Sequence, residues 1–270
     1  MKRPAHALLV VSSCLISTVS YAASPIDGQL SVRDVLTMPG QPSRIEANLT
    51  RRGTTAERQG LGGYPLELII EGRQAATGRT GEDGRAYLAY TPRTRGNHDI
   101  TVRLLPDFGV VASDAQATVG AWERRRPILL VELTSVVRQE DASAVLDSAD
   151  ELTRLARFFY NVIYVSWSPD DRSLPGSVEG NPRAWLEKNN FPRGLVVNLP
   201  MGAQSLKAKI EQLRAAGWIN IKAGIGRTKG FADVLVEHRI EVVLVPKPAK
   251  GELPKKVKTV KEWKDVRRQL

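Results

Sequence analysis

Cysteine and histidine, two residue types that often act as nucleophiles or metal ligands, are scarce in this sequence. Cys14 is the single cysteine among 270 residues, and only three histidines occur. No second histidine, cysteine or cluster of acids accompanies His98, so we interpret it as a strand-edge residue and not as a metal ligand. Gly224 and Gly226 form only a weak phosphate signature, because a third glycine and a following acid are missing. None of these residues predicts a catalytic centre by its spacing alone.

Residues 1–23 have the pattern of a secretory signal peptide. A positively charged start precedes a largely apolar stretch at residues 7–19, and small residues follow at Ala22 and Ala23. Cleavage there would leave no cysteine in the mature protein, which excludes disulfides and thiolate metal sites. Lipidation of Cys14 is the alternative, although the apolar run before it is short. We expect a periplasmic or secreted protein, with no later segment apolar enough to span a membrane.

Residues 24–122 alternate between apolar and polar side chains in short segments that are separated by turns, which is typical of a β-sandwich. The predicted strands cover residues 30–36, 44–49, 66–70, 86–90, 99–104 and 115–119. The segments 65–68, 80–88 and 96–102 resemble bacterial immunoglobulin-like modules. This resemblance implies an all-β immunoglobulin-like sandwich that acts as a spacer or as a protein-contact surface.

The pattern changes after a basic linker at residues 123–126. The unbroken apolar run 128–131 is typical of a buried parallel strand. Further strands are predicted at 162–165, 194–199, 219–224 and 241–245, and they alternate with helices at 144–159, 182–188, 204–216 and 230–238. Residues 127–248 are therefore predicted to form an α/β Rossmann-like three-layer domain with a parallel sheet. In such a domain, ligands lie at the carboxyl ends of the strands.

Residues 249–270 form a basic tail. From Lys247 to Leu270 there are nine Lys or Arg and three Asp or Glu, which contributes +6 to a net charge of +10. Apolar residues recur in the tail at three- or four-residue spacing: Val257, Val260, Trp263, Val266 and Leu270. This spacing predicts an amphipathic helix, which would pack against the sheet or lie on an anionic membrane.

The α/β region resembles the haloacid dehalogenase superfamily, in particular the lipin and phosphatidylinositol-transfer-protein C-terminal type. The resemblance rests on the first strand and on the segments 164–169, 185–194, 223–226 and 237–240. Enzymes of that superfamily begin their first loop with Asp-x-Asp-x-Thr. The first Asp attacks phosphorus, the second transfers a proton, and a distant acid helps to hold magnesium.

The resemblance places Glu132 at the nucleophile position and Thr134 at the acid/base position. The glutamate carboxylate is one methylene too long, and a misplacement of about 1 Å already costs ~10²-fold in rate. A threonine hydroxyl cannot exchange protons near neutral pH as a carboxylate does. Glu132 and Thr134 are therefore weak catalytic candidates, and the domain is expected to be a degenerate phosphatase.

The other motifs are partly kept. Ser166 matches the hydroxyl that binds phosphoryl oxygens, and Lys207 or Lys209 could supply the motif lysine. Together these residues could form a pocket for phosphate or another anion, although a purely structural Ser166 is equally consistent with the pattern. Phe231 stands where the magnesium-binding acid is expected, and Asp233 lies two positions on. Metal binding therefore has only weak candidates, Glu132 and Asp233.

These observations predict an exported, non-enzymatic binding or structural protein with an immunoglobulin-like spacer and a pseudo-phosphatase domain. No cofactor is expected, and the partner would be an unidentified protein or an anionic ligand. One alternative is an active phosphohydrolase that uses Mg²⁺ and Glu132. Another is a sensor of anionic lipid that contacts the membrane peripherally through its basic tail. Nucleic-acid binding is not expected, because export removes the usual partner and no motif of aromatic and basic residues is present.

Overall fold

The computed structural model describes residues 25–53, 59–106, 109–167, 178, 180–248 and 253–270. The predicted signal peptide, including Cys14, lies outside the described residues. Among those that are described, the chain forms a β-sandwich followed by an α/β domain, as the sequence predicts. No described helix is long and apolar enough to cross a bilayer.

The sandwich consists of two sheets that face each other across an apolar core. Its strands are β1 (Ile26–Val32), β2 (Val35–Thr37), β3 (Ser43–Arg51), β4 (Pro65–Ile70), β5 (Arg73–Arg79), β6 (Arg85–Tyr90), β7 (Gly96–Leu104), β8 (Val110–Val111) and β9 (Ala115–Ala121). One sheet has the order β6-β3-β1-β8 and the other β2-β9-β7-β4-β5. Alternate residues of each strand point inward, as Ile45 and Leu49 of β3 and Leu66 and Leu68 of β4 show.

The sandwich differs from the prediction at residues 30–36 and in strand β5, and the two-residue strand β8 was also not predicted. Residues 30–36 form parts of two strands, because the chain leaves the first sheet after Val32 and joins the second at Val35. Strand β5 was not predicted, because its residues are mostly exposed at a sheet edge and lack apolar alternation. The overall sandwich is unaffected by these differences.

The α/β domain has a six-stranded parallel sheet. Its strands are β10 (Ile128–Glu132), β11 (Asn161–Trp167), β12 (Leu195–Leu199), β13 (Ile221–Gly226), β14 (Glu241–Leu244) and β15 (Lys258–Thr259), in the order β12-β11-β10-β13-β14-β15. This is the doubly wound order, in which the direction of winding reverses between β10 and β13. Ligands of such sheets lie outside the carboxyl ends of the strands at that reversal.

Helices cover both faces of the parallel sheet. They are α1 (Ser148–Phe158), α2 (Pro182–Lys188), α3 (Ala203–Ala215) and α4 (Lys229–Glu237), with short 3-10 helices η1 (Leu133–Ser135) and η2 (Trp263–Arg268). Helices α1, α2 and η2 pack on one face, here called the α1 face, where Val131 and Tyr164 point. Helices α3 and α4 pack on the other, the α4 face, where Leu130 and Val165 point.

Helix α1 begins four residues later than the periodicity predicts. Ala144 pairs with Val137 in an isolated antiparallel bridge, and the amide of Val145 donates to the carbonyl of Val136. These bonds commit residues 144 and 145 to extended backbone. The helix can therefore start only at Ser148.

The predicted tail helix is wrong for the described part of the tail. Residues 258–259 form β15, which pairs in parallel with β14, and Trp263–Arg268 forms the 3-10 helix η2. Pairing with β15 supplies backbone partners to the edge of β14, and such tertiary contacts override the local periodicity. Val260, Trp263 and Val266 are buried in the core on the α1 face, so the expected packing of the tail against the sheet is confirmed.

A buried ion pair joins the two domains. The carboxylate of Asp34, between β1 and β2, accepts two hydrogen bonds of 2.6 Å from the guanidinium of Arg183 on α2. The amides of Val196 and Thr118 also donate to it, at 2.6 and 2.9 Å. Burial raises the pKa of Asp34, while the Arg183 guanidinium and the two amides oppose that shift. The sandwich and the α/β domain are therefore joined by a buried carboxylate, that of Asp34, which Arg183 and two backbone amides stabilise.

Substitution of Arg183 tests this junction. Arg183→Met leaves the Asp34 carboxylate buried without its cation, which is expected to lower the free energy of unfolding by about 3–5 kcal/mol. The control is Arg193→Met, which removes an exposed ion pair between the same domains, at 68% and 47% side-chain exposure for Arg193 and Asp99. That loss is expected to cost less than about 1 kcal/mol. Urea unfolding of the full chain measures both values. An equal loss of unfolding free energy in the two variants would contradict the role of Arg183 as the partner of a buried charge.

Candidate functional site

Glu132 is the last residue of β10 and lies at the reversal of the sheet, the position at which this fold binds ligands. Its side chain is fully buried, with 0% exposure. The residue pairs in the ladder with Val165 of β11, and β13 is its neighbour on the other side. The sequence-predicted nucleophile position is thus at the expected place in the fold.

The carboxylate of Glu132 accepts four hydrogen bonds. The indole Nε1 of Trp167 and the hydroxyl Oγ1 of Thr228 donate to Oε1, at 3.1 and 2.6 Å. The backbone amides of Arg227 and Thr228 donate to Oε2, at 2.7 and 3.0 Å. An ionised carboxylate has about four acceptor sites. Those of Glu132 are therefore all engaged by the protein itself.

The donors come from the turn that starts α4. Thr228 is the N-cap of this helix, and its hydroxyl also accepts from the amide of Phe231 at 3.3 Å. Unpaired amides and the helix dipole make such a turn a binding site for anions. Here the negative charge is supplied by Glu132 from the adjacent strand. The side chain takes the position that a bound anion would take at this helix start.

Gly224 and Gly226 have a packing role in this arrangement. A Cβ at Gly226 would lie 2.4 Å from Cδ1 of Phe231 and 2.8 Å from Oε2 of Glu132. A Cβ at Gly224 would lie 2.0 Å from Cδ2 of Leu235. The two glycines let α4 approach the sheet closely enough for its first turn to reach Glu132. Their spacing is explained without a phosphate.

Thr134 and Ser166 do not join Glu132 in an active arrangement. Thr134 is buried within η1, and its Oγ1 has no hydrogen-bond partner among the described residues. Trp263 covers this turn, because its Nε1 donates to the carbonyl of Ser135 at 2.9 Å. Alternation along β11 places Ser166 on the α1 face with Tyr164, whereas Glu132 and Trp167 lie on the α4 face. Glu132 and Ser166 therefore face opposite sides of the sheet.

The two lysines expected to bind phosphate are engaged elsewhere. The ammonium of Lys207 pairs with Glu237 at 2.5 Å, and this hydrogen bond raises the pKa of Lys207. Lys209 donates to the side chain of Gln212 at 3.0 Å. Burial and the nearby charge of Arg33 lower the pKa of Lys209. Both partners belong to the helical layer, so neither ammonium group is directed at Glu132.

Among the residues that the structure describes, no second acid contacts Glu132. Asp233 forms an exposed ion pair with Lys229, one turn back on α4, at 2.7 Å. The phenyl ring of Phe231, on α4, is buried against Gly226 at the end of β13. This is the residue at the position where the sequence analysis expects a magnesium-binding acid. Within the described ranges, no group of three or more His, Cys, Asp or Glu side chains could hold a metal ion. The described residues that contact Glu132 are hydrogen-bond donors and a phenyl ring, which do not fit magnesium.

Sequence reasoning missed the donors to Glu132. Trp167 and Thr228 are separated from it by 35 and 96 residues. A threonine just before an apolar helical pattern is a recognisable N-cap signal, and it could have located the start of α4. Nothing local indicates which carboxylate would meet that cap.

Neither the protein-family models nor the curated proteins include a match to this sequence. Several solved structures are similar to parts of it. A CARDB domain from Pyrococcus furiosus is 15% identical, with 36% of this chain and 96% of that domain covered and a TM-score of 0.28. D,D-heptose 1,7-bisphosphate phosphatase from Burkholderia thailandensis is 14% identical, with 52% of this chain and 96% of that enzyme covered and a TM-score of 0.40. The B. bronchiseptica enzyme, in complex with magnesium and phosphate, is 11% identical, with coverage of 53% and 97% and a TM-score of 0.42. These TM-scores indicate only a coarse likeness.

Substitution of Glu132 tests its structural role. Glu132→Gln replaces one carboxylate oxygen with an amide group that cannot accept, so at least one buried donor loses its partner. The free energy of unfolding is expected to fall by about 3 kcal/mol. Glu187→Gln, an exposed glutamate on α2, is the control and is expected to change it by less than about 0.5 kcal/mol. If the two variants unfold at the same denaturant midpoint, the hydrogen bonds of Glu132 contribute nothing to stability.

Proposed function

We propose that this chain is an exported, non-enzymatic binding or structural protein whose α/β domain is a pseudo-phosphatase. The observation that carries the proposal is the fully buried Glu132 carboxylate with its four protein donors. A nucleophile needs a free lone pair within reach of phosphorus, and a metal ligand needs one directed at the ion. The four hydrogen bonds of Glu132 leave no lone pair free for phosphorus or for a metal ion.

Two further observations support the same conclusion. The acid/base position holds the buried hydroxyl of Thr134, beneath Trp263, so a leaving group could not take a proton from a carboxyl group there. The position of the distant acid holds Phe231, and the nearest acid in sequence, Asp233, is paired with Lys229. An active phosphohydrolase would have to release Glu132 from its donors and recruit a carboxylate from elsewhere.

The contacts of the residues expected to form an anion pocket at this edge do not support such a pocket. The amides at the start of α4, which would bind phosphate, are hydrogen-bonded to Glu132. Ser166 faces the other side of the sheet, and Lys207 is paired with Glu237. We therefore place the binding function of this protein away from the carboxyl ends of β10 and β13.

An assay of phosphate-ester hydrolysis tests the proposal. The purified chain is expected to release p-nitrophenol from p-nitrophenyl phosphate at the rate of the buffer alone, with or without magnesium chloride. Titration of magnesium chloride in a calorimeter is expected to give no saturable heat. Magnesium-dependent turnover that scales with protein and disappears in a folded Glu132→Gln variant would instead establish the phosphohydrolase.

Export is a separate part of the proposal and rests on residues 1–23. Expression of the full sequence in a bacterial host is expected to yield a protein outside the cytoplasm whose first residue is Ala23 or Ser24. Intact mass and N-terminal sequencing of the periplasmic and medium fractions measure this. A product that keeps Met1 in the cytoplasm, or that carries lipid on Cys14, would contradict cleavage at this site.

A further inference from the structure

The amino ends of the parallel strands form a second edge of the α/β domain, opposite to the edge that holds Glu132. The amino edge, as we call it, consists of the segments that lead into four strands and begin them: 123–128 for β10, 157–161 for β11, 217–222 for β13 and 238–241 for β14. These strands are neighbours in the order β11-β10-β13-β14, so the four segments lie side by side. The amino edge shares no residue with the Glu132 region.

Three large apolar side chains of the amino edge are exposed. Phe158, Phe159 and Ile219, here called the apolar tips, have exposed fractions of 64%, 54% and 74%. The ladder pairs the first residue of β10 with the first residues of β11 and β13, and Phe159 and Ile219 stand two positions before the latter two. The apolar tips therefore lie on either side of the linker that leads into β10. The other exposed large apolar side chains lie singly in separate segments: Tyr87, Val111, Leu146 and Met201.

Two arginines of the linker hold the segments of the apolar tips in place. Nη2 of Arg126 donates to the carbonyls of Ala156 and Tyr160, at 2.5 and 3.4 Å, on either side of the two phenylalanines. Nη2 of Arg124 donates to the carbonyl of Ala216 at the end of α3, at 3.2 Å. A cation at the end of a helix also complements the helix dipole. Because these segments are already ordered, insertion of the apolar tips into a partner costs little conformational entropy.

The amino edge is positively charged. It contains six basic and two acidic residues, which sum to +4: Arg124, Arg125, Arg126, Arg157, Lys222, Arg239, Glu123 and Glu241. The two acids, and Glu237 directly before the last segment, are all paired with cations: Glu123 with Arg95 and Arg125, Glu237 with Lys207, and Glu241 with Lys258. Of the six basic residues, only Arg125 has an acidic partner within the part of the chain that the structure describes. The remaining five are available to a negatively charged partner.

Exposed apolar tips beside unpaired arginines match the surface of an anionic bilayer. Apolar side chains enter the boundary between headgroups and acyl chains, while basic side chains are attracted to the lipid phosphates. The guanidinium of Arg157 lies 5.3 Å from the ring centroid of Phe158, so charge and apolar surface are adjacent. Because the basic linker separates Phe159 from Ile219, the apolar tips do not form the continuous apolar core of a protein interface. A fluid bilayer can accept each tip separately.

We propose that the amino edge is a peripheral contact site for an anionic lipid bilayer. The apolar tips insert, and the arginines around them stay at the level of the lipid phosphates. The site differs from the contact through the basic tail that the sequence suggests, because Val260, Trp263 and Val266 of the tail are buried in the core and cannot insert. It is also independent of the proposed loss of phosphatase activity, since it lies at the other end of the sheet.

Co-sedimentation with sucrose-loaded vesicles tests the site. The chain without residues 1–23, once shown to unfold cooperatively, keeps every residue that the structure describes and lacks the apolar segment that could itself bind lipid. It is expected to bind vesicles of phosphatidylcholine with about 30% phosphatidylglycerol at least about tenfold more strongly than vesicles of phosphatidylcholine alone. This preference is expected to disappear between about 50 and 500 mM sodium chloride. No binding to the anionic vesicles, or equal binding to both compositions, would overturn the proposal.

Matched variants locate the contact. The double variant Phe158→Ser/Phe159→Ser is expected to lower the vesicle partition coefficient at least about tenfold, because two rings no longer insert. Arg157→Gln is expected to lower it roughly fivefold through the loss of one charge near the lipid. The controls are Leu146→Ser, exposed outside the amino edge, and Lys261→Gln, exposed in the tail, and both are expected to leave binding unchanged. Equal losses in Leu146→Ser and the double variant, or in Lys261→Gln and Arg157→Gln, would remove the amino edge as the site.

Discussion

The carboxylate of Glu132 must remain fully compensated, because a buried ionised group without partners is far too costly for a folded domain. Its donors come from the end of β11 and from the turn between β13 and α4, and the carboxylate itself ends β10. One side chain thus joins three neighbouring strands at their carboxyl ends. Any rearrangement that freed Glu132 for chemistry would also leave four donors unpaired at the same edge. The four hydrogen bonds that stabilise this edge are the same ones that, in our proposal, keep Glu132 from acting as a nucleophile.

Buried acids act in the same way elsewhere in the chain. Asp34 connects the sandwich to α2 and β12 through Arg183 and the amide of Val196. Glu151 of α1, only 4% exposed, lies 2.7 Å from Arg154 and 3.2 Å from Arg267 of η2, so it connects the end of the chain to the body of the domain. Asp34 and Glu151 each have one charged partner that is distant in sequence, Arg183 and Arg267. The buried carboxylates of Glu132, Asp34 and Glu151 therefore fix the arrangement of segments.

The sequence by itself determined the two fold classes, because each depends on local period. Alternation in residues 44–49 and the apolar run 128–131 specify which backbone form buries each side chain. It also determined that position 231, where the resemblance to haloacid dehalogenases expects an acid, holds a phenylalanine, since a residue type needs no coordinates. Only the tertiary structure decided that Trp167 and Thr228 would satisfy Glu132, that Ser166 would face away from it, and that residues 258–259 would extend the sheet as β15. These outcomes depend on contacts between segments up to 96 residues apart, and the energy of such contacts is absent from any local pattern.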